Sequence, residues 1–309
     1  MLDVLQPGLL STVQDAGRRG WMRYGVPPSG PMDAAAFAIA NRLVGNPATA
    51  AGLEITLTGP VIRFRNPAVI AVCGAAFDLW VDALPVPAWH AVFVRAGSHL
   101  RFGDRRQGAR AYLTVAGGIE TPPFLGSRAT YLKGAFGGLE GRALRSGDRL
   151  PVGTHTLTDL VAYAGRVWPP SKRPTYPTAP TLRLVPQDQG LPPQSLSQLC
   201  AQPFEITRGS DRMGVRLVGT PLPGRDGEPT ISDGVVTGSV QVPPDGQPIV
   251  MMVDHQTTGG YPKVGTVIQP DLPLLAQCVP GDHVRFQAIT RSEAQAIYRS
   301  WHPTYFQPR

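Results

Sequence analysis

Lysine is scarce in this 309-residue sequence: of 29 cationic residues only Lys133, Lys172 and Lys263 are lysines, and the rest are arginines. The arginines are scattered, with no basic arm and no basic patch interleaved with aromatic residues. The net charge of +7 therefore does not indicate a nucleic-acid partner, which needs a concentrated phosphate-binding surface. Charged residues make up 17% of the chain and hydrophobic residues 42%, which excludes an intrinsically disordered protein.

Cysteine is scarce as well. Cys73, Cys200 and Cys278 lie far apart and form no CxxC pair, which excludes a disulfide framework and argues for a reducing compartment. The six histidines show neither HxH nor HExxH spacing, so we expect no metal site. Long apolar runs and a signal-like N-terminus are also missing. We therefore expect a cytoplasmic protein.

Glycine and proline are abundant, with 35 and 33 residues, which leaves little room for long helices and predicts a mostly β chain with barrel-like sheets. Helices are predicted over 31–44, with Ser29 as a possible cap, and over 292–300, with Ser292 as the cap. The predicted strands are 61–64, 69–73, 91–94, 110–115, 181–185, 249–253, 264–268 and 283–288.

A proline-rich stretch over 166–181 marks a predicted boundary, because five prolines fall between positions 169 and 180. Such a segment is stiff, extended and hard to pack. We interpret it as a linker between an N-terminal β-barrel-like domain, 1–165, and a C-terminal β-barrel domain, 182–309.

The densest polar motif is 254–263, DHQTTGGYPK, directly after an apolar run over 248–253. Loops that follow buried strands often carry functional groups, and paired glycines let backbone approach a ligand. Asp254 and Lys263 are the catalytic candidates, for proton transfer or metal orientation and for binding an anion. The alternatives are an acidic turn residue and a solvated surface lysine. The loop also supplies candidate substrate-binding residues: Gln256, Thr257, Thr258, Gly259, Gly260 and Tyr261.

Candidates outside this loop each have a structural alternative. Asp15 and Arg18 are expected to pair, either with Arg18 holding a substrate carboxylate or as a structural clamp. Asn41 on the first predicted helix binds substrate or supports a core contact. Arg212 and Asp271 are further candidates for substrate binding, with a clamp and a turn residue as their alternatives.

Six ordered stretches carry a resemblance to a known family: 5–18 (LQPGLLSTVQDAGR), 24–33 (YGVPPSGPMD), 40–46 (ANRLVGN), 209–214 (GSDRMG), 238–243 (GSVQVP) and 254–261 (DHQTTGGY). Together they resemble the KipA family, also described as the C subunit of 5-oxoprolinase or as the carboxyltransferase subdomain A-B of urea carboxylase. The resemblance spans nearly the whole chain.

The resemblance implies two cyclophilin-like β-barrel domains. It also implies that the chain works in a complex with a KipI-like B subunit and with a third component, the A subunit of 5-oxoprolinase. The expected activity is ATP-dependent opening of 5-oxoproline to glutamate, with ATP and Mg bound by or shared with a partner. Two alternatives stay open: carboxyl transfer to urea or a related amide, and regulation of a sensor kinase through KipI binding. The sequence has no GxxxxGK[ST] loop, so ATP would not bind a P-loop here. No lysine has the flanking methionines of a biotin acceptor, so biotin would come from another chain.

Overall fold

The computed structural model describes residues 1–187, 189, 191–224 and 231–306, and the chain divides into two compact units. Within the described ranges, unit 1 comprises Met1–Arg18 and Ser29–Pro174, and unit 2 comprises Arg19–Pro28 and the chain from Thr175 onward.

The change of unit after Pro174 falls inside the stretch 166–181 that was predicted as a linker. The first part of this stretch packs within unit 1. The side chain of Trp168 is buried, and its backbone N–H donates to the carbonyl of Trp89 at 2.9 Å. The first residues of the predicted linker therefore pack within unit 1.

Unit 1 is built on one antiparallel sheet. Its described strands are β1 (Leu2–Gln6), β2 (Leu10–Gln14), β3 (Gly52–Thr56), β4 (Val61–Phe64), β5 (Ala68–Val81), β6 (Leu84–Pro85), β7 (Ala91–Val94), β8 (His99–Val115) and β9 (Arg149–Leu150). The order is β2-β3-β8-β4-β1-β9, and β5 pairs with β6, β7 and β8. The two longest strands, β5 and β8, pair along most of their length, and their apolar side chains form much of the core of this unit.

The helices of unit 1 are α1 (Ala34–Leu43) and α2 (Leu157–Tyr163). The prediction for α1 was right in position and wrong in its cap. The carboxylate of Asp33 accepts the backbone N–H of Ala36 at 2.9 Å, so Asp33, and not Ser29, caps the helix. The helix ends before Gly45, whose φ of +76° suits a residue without a side chain.

Unit 2 contains a closed barrel of seven strands and a separate two-stranded ribbon. Its described strands are β10 (Thr181–Pro186), β11 (Phe204–Ile206), β12 (Gly214–Val218), β13 (Asp233–Gly234), β14 (Ser239–Gln241), β15 (Ile249–Met251), β16 (Thr258–Gly259), β17 (Lys263–Val267) and β18 (His283–Ala288). Its helices are α3 (Gln194–Ala201), α4 (Leu272–Ala276) and α5 (Arg291–Phe306).

The barrel order is β10-β17-β14-β15-β12-β11-β18, which closes by pairing β18 with β10. All neighbours are antiparallel except β10 and β18, which are parallel. An odd number of strands cannot alternate in direction around a closed ring, so one parallel pair is required. The ribbon of β13 and β16 lies outside this ring. The prediction of a mostly β chain with barrel-like sheets and few helices is confirmed.

The last helix, α5, is longer than predicted and is capped two residues earlier. The hydroxyl of Thr290 accepts the backbone N–H of Glu293 at 3.2 Å, and the Glu293 carboxylate accepts the backbone N–H of Thr290 at 2.7 Å. This reciprocal capping box makes Thr290, and not Ser292, the first polar cap. None of the helices in the described part of the chain combines the length and the hydropathy that spanning a bilayer requires.

The barrel interior supplies a test of how far its core stabilises unit 2. Phe204 on β11 is fully buried, and its ring meets that of Phe286 on β18 edge to face, with 6.1 Å between ring centres. We expect Phe204→Ala to lower the free energy of unfolding by about 3–5 kcal/mol, because it leaves a cavity. Urea unfolding of the full chain measures this. The control Val218→Ala, at a position 43% exposed on the neighbouring strand, should change it by only about 0.5 kcal/mol. If Phe204→Ala lowered the free energy of unfolding by less than about 1 kcal/mol, Phe204 would not be a packed core residue of the barrel.

Candidate functional site

The candidate site is built on residues 252–263, called the site loop below, which follow β15, include β16 and end at the first residue of β17. Its first residues extend the ladder between β12 and β15. The backbone N–H of Met252 donates to the carbonyl of Met213, and that of Asp254 to the carbonyl of Arg212, both at 2.9 Å. This register puts Arg212 beside Asp254, although 42 positions separate them in the sequence.

Asp254 and Arg212 form a buried, two-point ion pair. The guanidinium donates from Nε to Oδ2 at 2.8 Å and from Nη2 to Oδ1 at 3.2 Å. The two side chains are only 4% and 6% exposed. A planar guanidinium that meets a carboxylate in this way fixes the orientation of both groups. The structure thus brings together two of the residues predicted from the sequence and anchors the start of the site loop.

The tip of the site loop is held by the ribbon of β13 and β16. Asp233 pairs with Gly259 and Gly234 with Thr258, and the backbone N–H of Val235 donates to the carbonyl of Thr257 at 3.0 Å. Around this ribbon the side chains of Thr258 and Tyr261 are exposed, Tyr261 at 46%. The predicted substrate-binding residues of the loop tip are therefore open to solvent on one side.

Lys263 begins β17 and is buried, at 5% exposure. Its ammonium donates to Oδ2 of Asp233 at 2.7 Å and to the carbonyl of Gly234 at 2.6 Å. Gln189 completes the arrangement: its side-chain amide donates to Asp233 at 2.9 Å and accepts the backbone N–H of Lys263 at 3.1 Å. The hydrogen bond from Lys263, followed by those from Gly234 and Gln189, holds the pKa of the Asp233 carboxyl below its usual value.

The surface-lysine alternative for Lys263 is wrong, since the side chain is buried and its charge is paired with a half-exposed carboxylate. Sequence reasoning missed Asp233 and Gln189. The only signal was the Asp-Gly dipeptide at 233–234, which is typical of a turn and gives no indication of a cationic partner 30 positions away.

The inner side of the site loop is a small polar cluster around His255, which is fully buried. Its Nδ1 lies 2.6 Å from the carbonyl of Gln256, so Nδ1 carries the proton and donates it. The side-chain amide of Gln256 donates to Oε1 of Gln241 on β14 at 3.4 Å. Burial lowers the pKa of the His255 imidazole, against smaller opposing effects of the Gln256 carbonyl and Asp254, and keeps it neutral near pH 7.

Gly259 is a glycine for reasons of space. A Cβ atom at this position would lie 2.5 Å from Nε2 of Gln241, which is closer than a carbon and a nitrogen can approach. The paired glycines were expected to let the loop backbone approach a ligand. At Gly259 the backbone instead lies close to the side chain of Gln241 on the barrel strand β14.

Asp271 belongs to a different part of unit 2. It closes the 3-10 helix Gln269–Asp271, and its carboxylate accepts two bonds from the guanidinium of Arg183 on β10, at 2.5 and 2.9 Å, and one from the Arg183 backbone at 2.7 Å. With a buried carboxylate engaged at both oxygens, this geometry favours a structural clamp.

The remaining candidates lie in unit 1, and each is engaged within that unit. The carboxylate of Asp15 accepts from the backbone of Gly17 at 2.8 Å and from the hydroxyl of Ser127 and the backbone of Arg128, both at 2.5 Å. Arg18 is buried; its guanidinium donates to the carbonyl of Ala129 and lies 5.0 Å from the ring centre of Phe136. These contacts hold the side chains of Asp15 and Arg18 against residues 127–136.

Asn41 sits in a separate buried network near the end of α1. Its amide nitrogen donates to the carbonyl of Ala50 at 2.9 Å, and its oxygen accepts from Asn46 at 3.0 Å. Asn46 in turn donates to the carbonyl of Val115 at 2.8 Å. This network joins the helix end to strand β8 and favours a supporting role for Asn41.

Potential metal ligands are dispersed over the parts of the chain that the structure describes, where no three His, Cys, Asp or Glu side chains come together. The three cysteines are free thiols. The chemical resources of the site loop are therefore one buried ammonium, one buried ion pair, a neutral imidazole and several amide and hydroxyl groups.

Comparison with known proteins places the chain in a family. A sequence model described as "Carboxyltransferase domain, subdomain A and B" matches residues 24–288, and the chain belongs to that family. Among curated proteins it is similar to the C subunit of the 5-oxoprolinase of Escherichia coli strain K12, with 38% identity over 95% of this chain and 93% of the relative.

Solved structures agree with this assignment. The Kluyveromyces lactis urea carboxylase shares a TM-score of 0.89 and 30% identity over 97% of this chain, which corresponds to 28% of that protein. The protein TTHA0988 shares a TM-score of 0.83 and 37% identity over 93% of this chain. This chain spans only 55% of the length of TTHA0988, so that relative carries a further portion of comparable size.

The buried ion pair yields a first prediction for the site. We expect Asp254→Asn to lower the free energy of unfolding by about 3–5 kcal/mol, because Arg212 keeps a buried charge that its amide neighbour no longer neutralises. Chemical denaturation of the full chain measures the change. Asp245→Asn, at an exposed turn position, is the matched control. An Asp254→Asn variant within about 0.5 kcal/mol of the parent would show that the pair does not anchor the loop.

The buried imidazole yields a second prediction. Because the pKa of His255 is lower in the folded chain than in the unfolded chain, the unfolded chain binds the proton first as the pH falls. The contribution of neutral His255 to stability is therefore present at about pH 7 and is lost towards about pH 5. Unfolding free energies measured across this range should fall less steeply for His255→Asn than for the parent. Equal slopes of unfolding free energy against pH for the two proteins would contradict a lowered pKa of His255 in the folded chain.

Proposed function

We propose that this chain is the C subunit of an ATP-dependent 5-oxoprolinase and opens 5-oxoproline to glutamate together with partner subunits. The observation that carries the proposal is the end-to-end similarity to the C subunit of a 5-oxoprolinase, over 95% of this chain and 93% of the relative. A match that covers both chains almost completely supports the same role in the complex, whereas a shared domain inside a much longer protein supports only a shared scaffold.

The chemistry explains why such an enzyme consumes ATP. A five-membered lactam is a stable amide, and its opening creates two new charged groups. Transfer of a phosphoryl group from ATP to the amide oxygen releases ADP and makes the ring carbon susceptible to attack by water. The ring C–N bond then breaks to leave the free amine and an acyl phosphate, and a second water converts the acyl phosphate to the carboxylate and phosphate. In the proposed assembly a KipI-like B subunit and the third component, the A subunit, complete the reaction, and ATP with Mg is bound by, or shared with, one of them.

Lys263 is the residue of this chain that we assign to anion binding. Its ammonium is buried, and its charge partner Asp233 has a side chain that is 59% exposed. A substrate carboxylate or a phosphoryl group offers the same oxygen ligands and can replace that of Asp233. The exchange costs little desolvation of Lys263, since the ammonium is already held by oxygen atoms in the free chain.

Asp254 has a narrower role in this proposal than the one expected from the sequence. Both of its oxygens are occupied by Arg212, so proton transfer or metal binding requires the release of one of them. We assign Asp254 to the orientation of Arg212 and of the start of the site loop. The side chains of Gln256 and Thr257, which are partly buried, and of Thr258, which is exposed, supply hydrogen bonds for an amide substrate.

Carboxyl transfer to urea or a related amide is the second candidate. It is favoured by the description of the matched family and by the similarity to urea carboxylase over 97% of this chain. No lysine here has the sequence context of a biotin acceptor, so biotin carried by a partner chain would supply the activated carboxyl group. Under this alternative Lys263 would hold the carboxylate that is transferred.

The decisive experiment is 5-oxoproline-dependent release of ADP by this chain co-purified with the products of its neighbouring genes, with each subunit omitted in turn. Activity that disappears when this chain is omitted supports the proposal. A stable, folded complex that releases no ADP contradicts it and directs attention to biotin-dependent carboxyl transfer.

The same assay tests Lys263. We expect Lys263→Met to lower kcat/KM by about 10- to 100-fold, because the variant loses the charge-assisted contact between the ammonium and the anion. Lys133→Met, at an exposed position of unit 1, is the matched control and should stay within about twofold. A loss below about threefold for Lys263→Met, in a complex that is otherwise active, would remove Lys263 from anion binding.

A further inference from the structure

Two buried polar atoms lack a hydrogen-bond partner among the described residues: Nε2 of His255 in the site loop and Nε2 of Gln241 on β14. His255 is fully buried and Gln241 is 1% exposed. Buried groups of this kind are few in native proteins, because each has given up its bonds to water without replacement. Two of them in one cluster, joined through Gln256, point to a ligand that supplies what is missing.

The chemical character of the two atoms is fixed by their other contacts. Nδ1 of His255 donates to the carbonyl of Gln256, so in the neutral ring Nε2 has a lone pair and accepts a hydrogen bond. Oε1 of Gln241 already accepts from Gln256, which leaves the amide nitrogen of Gln241 with hydrogens to donate. The cluster therefore offers one unused acceptor and one unused donor, and neither carries a charge.

We propose that His255 and Gln241 form the site that recognises a cis-amide edge, an N–H and a C=O group presented side by side. The N–H of the ligand donates to Nε2 of His255, and its carbonyl accepts from Nε2 of Gln241. A five-membered lactam holds its amide in this cis form, since the ring allows no other. This inference rests on the proposed function and names the residues that would select a lactam substrate.

Access to the cluster is controlled by the ribbon of β13 and β16. The backbone of Gly259 lies against the amide of Gln241, so Gly259 covers that donor in the free chain. The ribbon is outside the barrel ring, pairs over only two residues per strand, and is fastened by the contact between Asp233 and Lys263. An anionic substrate that takes the place of Asp233 on Lys263 would release this fastening and expose the cluster beneath it.

The test compares two ligands that differ in one group: 5-oxoproline, and the lactone in which an oxygen atom replaces its ring N–H. Their dissociation constants are measured by calorimetry for the complex of this chain with the products of its neighbouring genes. The parent complex should bind the lactam roughly 10- to 100-fold more tightly than the lactone, since only the lactam donates to His255.

Two variants separate the roles of the pair. His255→Leu should reduce the preference for lactam over lactone to within about threefold, because the acceptor is gone. Gln241→Met should weaken both ligands by a similar factor and keep the preference, because both carry the carbonyl. His283→Leu, at an exposed position of β18, is the control and should leave both constants unchanged.

The outcomes distinguish this inference from the proposal on which it depends. A parent complex that binds lactam and lactone equally well overturns the inference and leaves the oxoprolinase function in place, and this result needs no variant to fold. A His255→Leu variant that keeps the full preference overturns it as well. A parent complex that binds neither ligand contradicts the proposed function itself, and the inference falls with it.

Discussion

The buried ion pair between Arg212 and Asp254 is the contact on which the geometry of the site loop depends. Removing two charges from water costs several kcal/mol per ion, and only a two-point contact with both oxygens engaged offsets this. Because Arg212 lies just before β12 and Asp254 just after β15, the pair joins the start of β12 to the end of β15 and sets the direction in which the chain leaves the barrel. The histidine cluster and the lysine of the same loop are placed relative to that start.

Every buried charge described in the site has a partner inside unit 2, and this shapes how a ligand can bind. Lys263 is neutralised by Asp233, a residue on a short ribbon outside the barrel. In the proposed function an incoming anion competes with this carboxylate, so selectivity would come from the other groups of the ligand. The neutral groups of His255 and Gln241 are suited to that role, since amide recognition depends on the pattern of donors and acceptors and not on charge.

The relatives of this chain illustrate the separation of scaffold and chemistry. A separate protein similar in length to this chain matches its sequence almost from end to end, and the fold of this chain occurs as a segment of a much longer urea carboxylase. Barrel strands fix the ends of loops, and the loops carry the groups that meet the substrate. A difference in activity between such relatives therefore has to be sought in residues such as those at 233–263, and not in the core.

The sequence by itself determined the class of fold and the place of the richest loop. Runs of apolar residues between glycines and prolines predicted strands at 61–64, 91–94 and 283–288, which the structure has with the same bounds, because strand formation follows local alternation and turn chemistry. The two helix caps were predicted four and two positions away from where they lie, since several neighbouring polar residues are chemically equivalent as caps.

Only the tertiary structure decided which charges meet. Arg212 and Asp254, Lys263 and Asp233, and Arg183 and Asp271 are 42, 30 and 88 positions apart. Their pairing follows from the order and register of the barrel strands, including the single parallel pair that an odd ring requires, and no local pattern encodes that register. The same holds for His255 and Gln241: their unused donor and acceptor become visible only after folding has buried both side chains, because an exposed side chain always finds water as its partner.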